Sequence, residues 1–272
     1  METKTYKTAK DTLLSAVLPK ETKSYKPVSH KQLIDLTLES IHQAGFSLDK
    51  TQYTSARDGN VANGRFSIKN IADEEMQLQI GWQNSYDKSL SLKFAIGTKI
   101  FICENGSVSG DFGAFKKKHV GEIQSFAPQA ITEYIKQSGE AFTRMQAERE
   151  AMKEIEINEQ VRAELIGRMF VEKQFIKSTQ LNIIMGELKN PTHDYNSKNS
   201  LWELYNFTTF SLKETHPSIW MNNHIDAHSF FVENSNIIRQ PSKEIILTPI
   251  NQLNMFDEEH ESSLMYGVDN NQ

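Results

Sequence analysis

Three groups of side chains in this 272-residue sequence could do chemistry. The first is the run Lys116-Lys117-Lys118-His119, whose ammonium groups can neutralise phosphates whatever the base sequence. The second is Gly81-Trp82-Gln83-Asn84-Ser85-Tyr86-Asp87-Lys88-Ser89, the densest mixture of polar and aromatic residues in the chain. There Lys88 can meet a phosphate while Tyr86 stacks on a base, so Tyr86, Lys88, Lys116, Lys117 and Lys118 are the candidate nucleic-acid contacts. The third is His224-Ile225-Asp226-Ala227-His228, with His216 upstream. Two imidazoles four residues apart share a helix face and can chelate zinc, although the pattern specifies no third ligand. Each group also has a plainer reading. Lysine runs are commonly solvated, Asn and Asp commonly hold a β-turn, and histidines near aromatic residues commonly make structural hydrogen bonds.

The rest of the inventory narrows the class. No phosphate-binding loop, dinucleotide fingerprint, nucleophile elbow or metalloprotease helix occurs. No cofactor is expected, and the reading leans away from an enzyme. The single cysteine, Cys103, permits no internal disulfide or multi-cysteine zinc site and reads as a small buried hydrophobe in a strand. No stretch approaches the roughly 20 apolar residues of a membrane span. The start, Met1-Glu2-Thr3-Lys4, lacks the basic-then-apolar layout of a signal peptide. A cytoplasmic protein without a membrane partner is the expectation. The net charge of -5 is unevenly spread: residues 1–243 hold 29 acids against 30 bases, and six further acids with no Lys or Arg follow. A neutral body argues against strong non-specific DNA binding, although local patches matter more than totals.

The elements that must position these groups read as α+β. Residues 1–27 are polar, with Pro19 and Pro27, and read as an extended N-terminal arm. Ser29 can cap a helix whose apolar face carries Leu33, Leu36, Leu38 and Ile41 and which Gly45 ends. Asp58-Gly59 and Asn63-Gly64 read as turns around polar strands near 51–57 and 65–70. Met76, Leu78, Ile80 and Trp82 alternate with polar residues, as do Leu90, Leu92, Phe94 and Ile96, which predicts strands with one buried and one solvated face. A further strand is expected at 99–103, ending at Asn105-Gly106. From Pro128 to Leu188 apolar residues recur at helical spacing, with a solvated stretch over 144–159 and Asn158 as a second cap. Such a stripe lies on a sheet or joins copies of the chain, which leaves a homo-oligomer open. Trp202, Tyr205, Phe207, Phe210 and Trp220 form an aromatic-rich C-terminal segment. The predicted architecture is an antiparallel β-meander packed against a long helix or helix pair in a core over 28–240, followed by a flexible acidic tail over 241–272.

Three stretches carry a resemblance: GWQNSYDKSLSLKFAIGTKIFICENG, KKKHVGEI and NSLWELYNFTTFSLKETHPSIW. Together they resemble the phage/plasmid-like proteins, a family of unknown function (domain of unknown function 932) spread on mobile elements, over residues 25–235. The resemblance implies a mobile-element setting and carries over no catalytic role. A meander followed by a long helix is also similar in layout to single-strand annealing proteins, which hold single-stranded DNA in a basic groove; that is an analogy of fold alone. The expectation is an accessory protein of phage or plasmid DNA metabolism that binds single-stranded DNA and works in recombination. Its rivals are a metal-dependent nuclease or hydrolase using His216, His224 and His228, and an interaction protein that blocks a host defence or replication factor.

Outside the resemblance, Gln252-Leu253-Asn254-Met255-Phe256 is similar to the peptide by which bacterial polymerases and repair proteins bind the sliding clamp. Gln252, Leu253, Met255 and Phe256 would contact the clamp, with Met255 in place of the usual Leu. A synthetic peptide of residues 247–260 should bind purified bacterial clamp with a Kd on the order of micromolar. Leu253→Ala with Phe256→Ala should abolish that binding and leave the melting temperature of the whole protein unchanged. A marked fall in melting temperature would show instead that these side chains pack on the body.

Overall fold

The computed structural model describes residues 7–101, 106–108, 114–213 and 215–239. The predicted tail, its clamp-like peptide and Cys103 lie outside the described residues. The first of the chain's two units, Met1–Arg239, holds every described element. In chain order these are β1 (Lys7–Thr8), α1 (Lys10–Leu14), α2 (His30–Gln43), β2 (Leu48–Ala56), β3 (Val61–Ala72), β4 (Met76–Ser85), β5 (Leu92–Ile100), β6 (Gly106–Val108), β7 (Ala114–Lys117), α3 (Ile123–Lys153), α4 (Glu159–Gly167), a π-helical turn (Arg168–Glu172), α5 (Ser178–Lys189), α6 (Leu201–Ser211) and α7 (Pro217–Arg239). The fold is α+β, with an antiparallel meander at its centre. The described strands run in the order β1-β2-β3-β4-β5-β6, and β7 shares the outer edge of β5 with β6. Among the described residues no helix is long and apolar enough to cross a membrane.

Local chemistry explains the punctuation. The Ser29 side chain accepts from the Gln32 amide while the Gln32 side chain accepts from the Ser29 amide, a capping box that starts α2. Gly45, at φ +74, ends it. Arg57, Asp58 and Gly59 all have positive φ and form the β2–β3 turn, as Asp58-Gly59 predicts. Asn63-Gly64 does not turn; it lies inside β3, with Gly64 opposite Trp82 of β4. Glycine is needed there for space. A Cβ on Gly64 would come within 2.6 Å of Trp82 Cε2, and Trp82 is fully buried. Of the strand expected at 99–103, Lys99 and Ile100 are the end of β5, Phe101 lies in a turn, and 102–103 lie outside the described residues.

One sheet face holds Met76, Leu78, Ile80, Trp82, Phe66, Phe94 and Ile96, which share a core with Leu33, Ile34 and Ile41 of α2 and Ile123, Ile131 and Ile135 of α3. The opposite face is not solvated as the alternation predicts. All ten residues of β4 are buried, Gln77, Gln79 and Gln83 included. The covering element is α7. Its Met221 reaches Gly81, its Trp220 lies under Arg65, and the carbonyl of Pro217 accepts from the side-chain amides of Asn63 and Gln83.

Three further expectations are corrected. α3 begins at Ile123 rather than near Pro128, because its buried stripe already includes Ile123 and Ala127. A proline one turn in forgoes only a single helix hydrogen bond. The stretch 144–159 is not a solvated helix: Met145, Arg149, Met152, Ile155 and Ile157 are buried. Arg149 bonds Asp73 at 2.8 Å and Glu150 at 2.7 Å, and Lys153 bonds Glu75 at 2.6 Å, which ties the β3–β4 turn to α3. Burial works against the Asp73 carboxylate, but bonds from Gln146, the Met76 and Glu75 amides and Arg149 hold its pKa at about 2. Nor are residues 7–27 an extended arm. They carry β1, α1 and a Thr22–Tyr25 bridge, and they bury Leu13 and Tyr25. Burying a leucine contributes roughly 2 kcal/mol, enough to dock a short polar segment.

Gly64→Ala should destabilise the protein by about 1–3 kcal/mol through overpacking against Trp82. Gly81→Ala, whose Cβ would meet nothing nearer than 3.6 Å, should be close to neutral. Denaturant midpoints measure both. Equal effects at the two positions would refute the steric account.

Candidate functional site

Asn84 organises the loop end of the sheet. It lies on the apolar face of β4 and is fully buried, so its amide must be bonded from within. Nδ2 donates to the Val28 carbonyl at 2.7 Å, which fixes the orientation of the amide. The same nitrogen faces Nδ1 of His30 at 3.1 Å, and Oδ1 faces Nε2 of His119 at 2.7 Å. Proton positions follow. His30 Nδ1 is an acceptor, so His30 carries its proton on Nε2, which donates to the Gly59 carbonyl at 3.0 Å; His119 donates to Asn84 through Nε2. The His30 ring stacks on Tyr86 with centroids 3.8 Å apart, and its amide donates to the Tyr86 hydroxyl. Tyr25 donates its hydroxyl proton to the Tyr86 carbonyl at 3.1 Å. This knot joins the N-terminal segment, α2, the β2–β3 turn, β4 and the segment after β7. Burial drives the His30 pKa down to about 4, outweighing the bond to Gly59. Burial also lowers His119, against the pull of the Leu90 carbonyl.

Beside the knot opens a hollow of about 380 Å³. Buried Tyr25 and His119 line it together with Lys88, Lys118, Ser24 and Ser91. Lys88, at φ +64, holds its ammonium 4.8 Å above the Tyr25 ring. The carboxylate of its neighbour Asp87 is bonded by Ser89 of the same loop and by Arg57 of the β2–β3 turn. Among the described residues no carboxylate pairs with Lys88 or Lys118. Two ammonium groups without a carboxylate partner among the described residues, with hydroxyls beside them, can bind an anion.

The structure thus brings together only two of the predicted contacts, Lys88 and Lys118. Strand alternation separates the lysine run. Lys116 sits opposite Lys93 on the α7 face, while Lys117 reaches over Phe126 of α3 on the other. Lys93 is itself buried, bonded to Gln83 and Asn222. Burial and the nearby Lys116 push its pKa down to about 8, with Asp226 opposing. Tyr86 cannot stack on a base in the predicted way, because it is buried and its ring lies against His30. The three histidines do not meet. His216 bonds Ser218, His224 packs on Trp220, and the two ring nitrogens of His228 face Tyr205 and Glu148. Among the described residues no group of three or more His, Cys, Asp or Glu could hold a metal ion. Ser24, Tyr25, His30 and the joining role of Asn84 and His119 are not marked by residue type. Asn84 and His119 stand inside the runs singled out, but nothing local marks them as partners.

Comparison with known proteins gives one relation. The profile of a family described as Domain of unknown function (DUF932) matches residues 17–227. No curated protein and no solved structure matches the chain.

The buried histidines predict an acid response. Unfolded His30 takes up a proton near pH 6.5 and folded His30 only near pH 4, so between those values the unfolded state binds more protons. The stability that His30 contributes is complete above pH 6.5 and falls by about 3 kcal/mol on going down to pH 4, with His119 acting in the same direction. Denaturant titrations across this range should show the loss, and histidine NMR should show one ring titrating near pH 4. Every ring titrating near pH 6.5 would contradict the knot.

Proposed function

Because the chain belongs to the family described as Domain of unknown function (DUF932), which assigns no activity, we propose its function from the site: an accessory protein of phage or plasmid DNA metabolism that binds single-stranded DNA without cutting it. The observation that carries this reading is the meeting of Lys88 and Lys118, both without a carboxylate partner among the described residues, at one hollow beside hydroxyl groups. Ammonium groups and hydroxyls are the donors that proteins turn toward the phosphates of a strand. The remaining features agree with binding in place of catalysis. His30 and His119 are engaged in structural bonds and held neutral by burial, which suits a scaffold better than a proton shuttle at neutral pH. A cytoplasmic setting, self-association and recruitment to the host clamp through residues 252–256 belong to the same reading.

The test is a titration of labelled single-stranded DNA at several salt concentrations. Binding should appear at low salt and weaken as salt rises, and Lys88→Ala or Lys118→Ala should each flatten the logarithmic salt slope by about 1. Lys117→Ala, which removes a cation directed at Phe126, should change little. Absence of any shift at low salt would end this reading and favour an interaction protein whose target is another protein.

A further inference from the structure

We propose that the hollow between Lys88 and Lys118 is a socket for one terminal phosphate, a phosphomonoester at a strand end or on a nucleotide, and not a step in a groove that tracks a backbone. The inference rests on the nucleic-acid reading above for the strand and on the hollow itself for the phosphate.

Charge favours a monoester. A phosphodiester carries one negative charge, whereas a phosphomonoester carries about 1.5 to 2 at neutral pH. Two lysines without carboxylate partners among the described residues line the hollow, which matches the monoester. Donor supply agrees. Ser24 and Ser91 have hydroxyls with no partner among the described residues, while the Ser89 hydroxyl is committed to Asp87.

The surroundings of those charges are unlike a strand-binding groove. A groove that follows a strand needs cations repeated along it. Here three nearby cations are directed elsewhere: Lys116 toward the α7 face, Lys117 over Phe126, and Lys26 into an ion pair with Glu21. At about 380 Å³ the hollow falls near the small end of the range roughly 300–1,000 Å³ that holds single small ligands. The wall is also fixed in advance. Tyr25 is held through its hydroxyl and His119 through Asn84, so the rim lysines stand on bonded side chains.

Fluorescence anisotropy on the full chain tests this with one oligonucleotide sequence in three forms: 5′-phosphorylated, 3′-phosphorylated and unphosphorylated. A nucleoside monophosphate serves as competitor. At least one phosphorylated form should bind roughly tenfold or more tighter than the unphosphorylated form, a preference of about 1.4 kcal/mol. Which end is preferred identifies the source of the phosphate. Lys118→Ala and Lys88→Ala should erase the preference, Lys116→Ala should retain it, and melting curves confirm that each variant folds. If all three forms bind equally and both lysine variants weaken them alike, the strand reading stands and the terminal-phosphate socket is overturned. If no oligonucleotide binds but the monophosphate does, the socket stands and the strand reading falls. Binding of neither ends both.

Discussion

Every residue of β4 is out of water, and each of its polar side chains has to be bonded from inside the protein. An unpartnered amide in such a place costs about 1–3 kcal/mol, so a strand carrying three glutamines and an asparagine dictates what may surround it. On one face the requirement draws in α7, whose first carbonyl accepts from Asn63 and Gln83 and whose Asn222 accepts from Lys93. On the other face Asn84 is the lone amide in an apolar layer, and it is met by Val28, His30 and His119 from three separate segments. The helical cover and the histidine knot answer the same demand. The hollow with its two lysines exists because His119 is held at the sheet end to form one wall.

Much of the sheet was legible from periodicity. Trp82, Ile80, Leu78 and Met76 point to one side, and the structure has them there with Phe94 and Ile96 across the ladder. The caps at Ser29 and Asn158 were equally plain, since a hydroxyl or amide oxygen ahead of an apolar stripe meets a free helix amide. The polar side of the strands was not legible. Glutamine, serine and lysine at alternate positions look the same whether water or another helix lies above them, and α7 arrives more than a hundred residues later. Asn63-Gly64 shows the same blindness at shorter range. The dipeptide suits a hairpin, but the indole of Trp82, eighteen positions on, needs the space that a glycine leaves.

The site was legible in part for related reasons. A run of three lysines looks like a single patch, yet a strand places neighbours on opposite faces, and only Lys118, just past the end of β7, reaches the hollow. Lys88 stood in the loop that composition singled out. Ser24 and Tyr25 had no signal at all, because they come from a segment whose polar composition predicts an arm and which is docked by Leu13 and Tyr25. Tyr86 illustrates the opposite error: an aromatic ring in a polar loop suits base stacking, but here the ring serves as the platform for His30.

The double acceptor at Pro217 bears on how the chain assembles. The strands β2 to β5 pair with their sequence neighbours, so each hairpin closes a short loop and the registers can form one after another. The bonds from Asn63 and Gln83 to Pro217 span 154 and 134 residues. They cannot form until both the sheet and the helix are in place. Without α7 those amides would have only water in place of the Pro217 carbonyl. Dehydration of that face of the sheet therefore requires the whole span from β3 to α7, and a chain cut short of α7 would leave Asn63 and Gln83 facing water.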